Sequence, residues 1–290
     1  MSFRIMVDSG CNLTDDLLEK YDILAISYVA RLDGEEFLCY EKGRDYEAAA
    51  KRYYDAMREG HEVATSLINE AMFTEAVEPY LAKGEDVLVI TISSGVSGTN
   101  RQACLAAESL KDKYKAKLYV ADPLGASLGA GMMAIRASEL RAKGMSVQDV
   151  CKDLEQMRER LYQVFTVEDL SYLKAGGRIS ALTAAIGSIL KVKPILKGNE
   201  EGKIVAAGKV LGRRKALHAL ADAYCERAVD PKEQTLYIAH ADCEAEAMAI
   251  ANEIQERAGY RELVLRQYDL CTGTHVGPGT IAIFFFAEHR

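Results

Sequence analysis

The chain has no tryptophan, five prolines among 290 residues and no long basic run, and each absence narrows what it can be. Nucleic-acid binding rests on neutralising phosphates, so a net charge of −7 without a basic stripe argues against it. No apolar stretch nears the ~20 residues that cross a bilayer, which argues against a membrane protein. The cysteines (Cys11, Cys39, Cys104, Cys151, Cys225, Cys243 and Cys271) are odd in number and never spaced Cys-x-x-Cys, which speaks against a disulfide framework or a zinc site. Five dispersed histidines show neither His-x-x-x-His nor His-Glu-x-x-His, so no metal is expected. The start, MSFRIMVDSG, reaches Asp8 without an apolar signal region, and a cytoplasmic location is the expectation.

What is present is a soluble composition, 49% hydrophobic and 27% charged. Short apolar runs recur at Phe3–Val7, Val87–Ile92, Leu118–Ala121, Gln163–Val167, Thr235–Ala239, Leu263–Tyr268 and Ile281–Phe286. Several are apolar at every position, the pattern of strands covered on both faces. Helical stretches alternate with them: DYEAAAKRYYDAMREG, NEAMFTEAVEPYLAKG, SVQDVCKDLEQMRERL, RRKALHALADAYCERA and EAEAMAIANEIQERAG. Three close on a glycine suited to a left-handed cap, and Ser146 with Asp149 resembles a capping box. The alternation predicts an α/β fold whose first half is a doubly wound, mostly parallel sheet. KPILKGNEEGKIVAAGKV reads as two strands around a Gly-Asn-Glu-Glu-Gly turn, so the second half should hold a mixed sheet. We therefore expect domains at residues 1–162 and 163–290, with room for segments exchanged between them, for example around 63–82.

Polar loops follow the predicted strands, where open parallel sheets leave their crevice. VDSGCNLT, ITISSGVSGTN and VADPLGAS bring Asp8, Ser9, Ser93, Ser94, Ser97, Thr99 and Asp122 to one rim, although such residues also simply make turns and caps. Two further polar stretches stand out, VATSLIN at 63–69 and TGTHVGPGT at 272–280. In the second, His275 is expected on a loop among Gly273, Gly277, Pro278 and Gly279. SSGVSGT lacks Gly-x-x-x-x-Gly-Lys and LGASLGAG lacks Gly-x-Gly-x-x-Gly, so no nucleotide fingerprint is present.

Together these stretches resemble the DegV family, the fatty-acid-binding subunits of bacterial fatty acid kinase systems. The resemblance rests on IMVDSGCNLT, ATS, ITISSGVSGTNRQA, VADPLGASLGAGMMA, VEDLSYLKAGGRIS, ILKVKPIL and THVGPGTIAIFF, and runs from residue 5 to residue 286. Leu-x-x-Leu-x-x-Gly-Gly-Arg and His-x-Gly-Pro-Gly, in that order, are its specific elements. Departures fall in the ligand region: the family's Thr-Ser-Gln-Pro-Ser is Thr65-Ser66-Leu67-Ile68-Asn69, its Leu-Ser-Gly-Thr begins with Val96, and its Asp-Ser pair is Asp122-Pro123.

The resemblance implies a two-domain DegV-like fold with one long-chain fatty acid between the domains and no other cofactor. Its carboxylate would be held by Thr65, Ser94, Ser97 and His275, with Ser9, Ser66, Ser93, Gly95 and Gly277 as further ligand-loop candidates. It implies a non-catalytic carrier that presents the carboxylate to a partner kinase for acyl-phosphate formation, feeding phospholipid synthesis through a glycerol-phosphate acyltransferase. It also allows a transient membrane contact. Arg178, Arg213 and Arg214 are candidates for partner and acyl-phosphate contact, guanidinium being suited to bidentate phosphate binding. The rival reading is a serine hydrolase using Ser94 or Ser97 with His275. ISSGVSG is not the Gly-x-Ser-x-Gly elbow that this chemistry favours.

Overall fold

The computed structural model describes residues 3–179 and 192–290. Of the stretches singled out above, Ser180 and residues 189–191 lie outside the described residues. The first sheet holds β1 (Arg4–Asp8), β2 (Ile23–Ile26), β6 (Val87–Ile90) and β7 (Leu118–Ala121) in the order β2-β1-β6-β7. Every pairing in it is parallel. All four residues of β6 are 0% exposed, which is why its sequence is uninterrupted in apolar side chains. Helices α3 (Glu70–Leu81) and α4 (Thr99–Leu110) pack against this sheet and each other.

Between β2 and β6 the chain makes an excursion that the sequence reading missed. Strands β3 (Val29–Leu32), β4 (Glu35–Leu38) and β5 (Val63–Ser66) form a small antiparallel sheet ordered β4-β3-β5. Asp33 and Gly34 close the β3–β4 hairpin at φ 50° and 87°, the two left-handed positions that an Asp-Gly turn supplies. VATSLIN is therefore not a loop throughout, because its first four residues are β5, hydrogen-bonded to β3. Helix α2 (Tyr46–Glu59) begins at the Asp45 cap, ends at left-handed Gly60, and carries tyrosines into the second half of the chain. Tyr46 and Tyr54 donate to the Tyr268 carbonyl, and the Tyr53 hydroxyl lies 2.7 Å from Thr274 Oγ1.

The larger sheet runs β10-β9-β8-β13-β11-β12, from β8 (Leu161–Thr166), β9 (Val192–Gly198), β10 (Ile204–Leu211), β11 (Thr235–His240), β12 (Glu262–Gln267) and β13 (Ile281–Phe286). It is mixed: β11 and β12 pair parallel, the other neighbours antiparallel. Asn199 Oδ1 accepts from the Glu201 and Lys203 amides and so shapes the β9–β10 turn. Alternation along β13 splits the core in two. Ile281, Ile283 and Phe285 join the cluster of α8 (Arg213–Arg227) and α9 (Glu244–Arg257), whereas Ala282 and Phe284 face the cluster of the first half.

Helix α5 (Leu128–Ala142) lies between the two larger sheets, touching β1 of one and β8, β11 and β13 of the other. Its small residues follow from that position, since a Cβ on Gly131 would stand 2.5 Å from the Cys11 carbonyl oxygen. LGASLGAG is thus the entry to a sandwiched helix. The chain is α/β with one parallel, one mixed and one small antiparallel sheet, and its first core reaches from β1 across to β8 and β13. Among the described residues the remaining α-helices are α1 (Asp15–Lys20), α6 (Val147–Met157, capped by Ser146), α7 (Ser171–Ala175) and α10 (Leu270–Val276). His275 occupies the last turn of α10 and not a loop, because the Asp269 side chain accepts from the Thr272 amide and starts a helix there.

Candidate functional site

The order of the parallel sheet puts its topological switch between β1 and β6, and a cavity of about 200 Å³ lies against the loops after β6 and β7. Ile92, Val96, Phe165, Leu173, Ile204 and Phe284 give it apolar walls drawn from both halves of the chain. Thr65, Ser97, Arg178, His275 and Tyr28 add polar groups to its lining. Mostly apolar walls with a few converging polar groups characterise a site that holds an amphipathic small molecule.

The polar end is assembled from distant segments. Thr65 sits on β5 opposite Ala30, and its Oγ1 shares a hydrogen bond of 3.1 Å with His275 Nε2. Burial, reinforced by the positive charge of Arg178, lowers His275 to about 4. The imidazole is therefore uncharged at neutral pH and offers one N–H and one lone pair. Arg178 donates from Nε to the Val96 carbonyl at 3.1 Å, and also to the Gly176 carbonyl, tying the segment after α7 to the serine loop. Ser97 Oγ donates to Thr99 Oγ1 at 3.0 Å and accepts from the Thr99 amide at 3.2 Å. The Tyr28 hydroxyl donates to the same Thr99 Oγ1 at 2.9 Å.

The other residues proposed from sequence fall elsewhere. Ser94 is exposed and absent from the cavity lining, its amide lying 3.3 Å from the Asp122 carboxylate. Ser93 is buried but donates to the Gly202 carbonyl and accepts from the Gly95 amide, so its hydroxyl fixes the loop against the β9–β10 turn. Gly95 belongs to that contact, since a Cβ there would stand 2.5 Å from the Glu201 carbonyl oxygen. Ser66 is exposed, its side chain alternating away from that of Thr65. Ser9 accepts from the Tyr28 amide at 3.0 Å. Gly277, at φ 81°, leaves room for the Tyr172 ring.

Arg213 is engaged by Glu246 at 2.7 Å and Glu168 at 3.7 Å, while Arg214 is exposed on the same turn of α8. Among the described residues no group of three or more His, Cys, Asp or Glu side chains could hold a metal ion.

Sequence reasoning missed Tyr28 and the apolar walls. Tyr28 stands just before an Asp-Gly hairpin whose pattern was readable, whereas Phe165 or Phe284 could not be told from any other core residue.

The comparisons with known proteins agree with this architecture. The model of the DegV family matches residues 2–288. A DegV domain-containing protein of Clostridium perfringens is 34% identical over 289 residues, covering 99% of this chain and 98% of its own. A structure concerned with fatty acid binding by a DegV family protein of Thermus thermophilus superposes with a TM-score of 0.89 at 28% identity, over 99% of this chain and 100% of its own. DegV of Bacillus subtilis, described as a fatty acid binding protein, superposes at 0.85 with 28% identity over 99% and 100% of the two chains. With the family's model matched from residue 2 to residue 288 and the fold of a solved family member superposing over 99% of the chain, the chain belongs to the DegV family.

Proposed function

We propose that this protein binds a long-chain fatty acid, with the acyl chain in the apolar cavity and the carboxylate at Thr65, Ser97 and His275. The observation that carries this reading is the Thr65–His275 pair, 3.1 Å apart in the lining of a cavity with mostly apolar walls. The Thermus and Bacillus relatives are described as fatty acid binding, which supports it. Burying about sixteen carbons at about 0.8 kcal/mol per CH₂ supplies roughly 12 kcal/mol of gross driving force. The head group must then keep hydrogen-bond partners, because an anion stripped of water is costly unless donors are in place. Hydroxyls, a neutral imidazole and Arg178 are such donors. In this role the protein is a cytoplasmic carrier without catalysis of its own. It would present the carboxylate to a kinase that forms the acyl phosphate, which an acyltransferase of phospholipid synthesis would consume. Arg178 and Arg214 remain the candidates for partner and phosphoryl contact. Arg213 is a weaker one, its guanidinium already being paired.

A serine hydrolase is less well supported, because His275 Nε2 meets the hydroxyl of Thr65 and not that of Ser97, and Ser94 is exposed outside the cavity lining. Denaturing the protein as purified and identifying the extracted lipid by mass spectrometry tests the proposal. A near-stoichiometric long-chain fatty acid is expected. Absence of lipid together with no uptake of added fatty acid would reject it, and turnover of an activated ester would favour the hydrolase.

A further inference from the structure

A second cleft, of about 450 Å³, shares no lining residue with the His275 cavity. It is formed by the loop after β1, the segment from the end of β4 into α2, and the carboxyl ends of β11 and β12. Such strand ends are where open α/β sheets hold small molecules. Two independent features describe its occupant.

The first is charge. Seven carboxylates and two guanidiniums line the cleft. Both guanidiniums are already engaged, Arg44 by the Leu38 carbonyl and Glu41, and Arg266 by Thr14 and Asp16. The field in the cleft therefore favours a cation.

The second feature is a set of stranded polar atoms. Asn12 Nδ2, Gln267 Nε2 and Asp269 Oδ2 have no hydrogen-bond partner. Asn12 is 4% exposed and Asp269 3% exposed. Buried polar atoms in folded proteins nearly always have partners, so three on the walls of one cleft call for a group that completes them. The other oxygen of Asp269 is held by the Thr272 amide at 2.8 Å, which fixes the carboxylate. One acceptor beside two amide groups suits a molecule that both donates and accepts, and among the described residues no group of three or more His, Cys, Asp or Glu side chains is placed to hold a metal ion.

We propose that this cleft binds a small hydroxylated organic ammonium, its N–H directed to Asp269 Oδ2 and its hydroxyl oxygen accepting from Asn12 and Gln267. Burial pushes Asp269 up to about 6, and a cation bound against it favours the ionised carboxylate.

Ethanolamine serves as the probe, titrated calorimetrically into the full-length protein at pH 8 with glycerol and acetate as controls. Saturable binding with a dissociation constant of about 1 mM or below is expected, with glycerol weaker and acetate silent. Asp269→Asn retains an oxygen for the Thr272 amide but loses the charge, and should weaken ethanolamine binding about tenfold or more. Gln267→Met leaves the helix cap intact and should weaken it a few-fold. The proposal is overturned if ethanolamine does not saturate, if glycerol binds as well, or if both variants bind like the parent. It fails equally if a structure with ethanolamine shows ordered water alone in the cleft.

Discussion

His275 Nε2 lies 3.1 Å from Thr65 Oγ1 although the two residues are 210 positions apart in the chain. The contact exists because β5 returns to the small antiparallel sheet, which packs against α10, and α10 presents His275 from its last turn. If this pair receives a carboxylate, Thr65→Val and His275→Ala should each weaken fatty-acid binding by about 1–3 kcal/mol, the usual cost of leaving a buried charged group short of a donor. Fluorescent fatty-acid displacement, with circular dichroism to verify folding, measures it. Parent-like affinity in both folded variants would move the head group elsewhere.

Arg178 acts on His275 through its charge. Burial is the first cause of the depressed histidine and Arg178 the second, so Arg178→Ala should raise His275 from about 4 while leaving it below its ordinary range. A histidine titration followed by NMR reports this directly. If the proposed kinase step takes place, the same variant should slow acyl-phosphate formation more than it weakens fatty-acid binding, with an effect that changes with salt. Kinetics unchanged across ionic strength would leave Arg178 only its hydrogen bonds to the serine loop.

Gly95 is set by contact with backbone. Its added methyl would collide with the Glu201 carbonyl and Gly202, neither of which can swing aside like a side-chain tip. Gly95→Ala should cost about 1–3 kcal/mol in urea unfolding. Because Ser97 lies two residues on, the variant should also bind fatty acid less well. Parent-like stability would show that the β9–β10 turn yields easily.

Asp8 supplies a pH prediction. Its Oδ2 accepts from the Ile92 amide at 2.7 Å, while burial, with Asp269 adding to it, pushes the carboxyl up to about 7. Between about 4 and 7 the folded protein then holds a proton that the unfolded chain has released, so this group's contribution to stability falls as pH rises through that window. Asp8→Asn has no such loss. The stability of the variant relative to the parent should therefore climb from pH 4 to pH 7 and stay level above, as read from urea melts across that range. A flat difference would mean that Asp8 titrates normally.

The sequence by itself determined the strands of the two larger sheets to within a residue or two at most ends, except β2, whose four residues Ile23–Ile26 it did not single out. It also carried five of the helices, the β9–β10 hairpin and the family. These are local signals: continuous apolar runs mark strands covered on both faces, and Asp45, Asn69 and Ser146 mark helix starts through hydrogen bonds made within three residues. Periodicity cannot report which side chains meet across the fold. Thr65 and Ser66 are both hydroxyl residues, and only the register of β5 on β3 sends one to the cavity and the other to solvent. Ser93, Ser94 and Ser97 look equivalent in the chain, yet the docking of the β9–β10 turn takes the first, solvent the second, and the cavity the third. The small antiparallel sheet was legible in part, through Asp33-Gly34, but its short half-exposed strands bury too little to announce themselves. Tertiary structure alone decided that α10 brings His275 to Thr65, that Arg213 is paired, and that the stranded atoms of Asn12, Gln267 and Asp269 belong to residues lining one cleft. Each depends on partners far along the chain, and long-range contact leaves no period in the sequence.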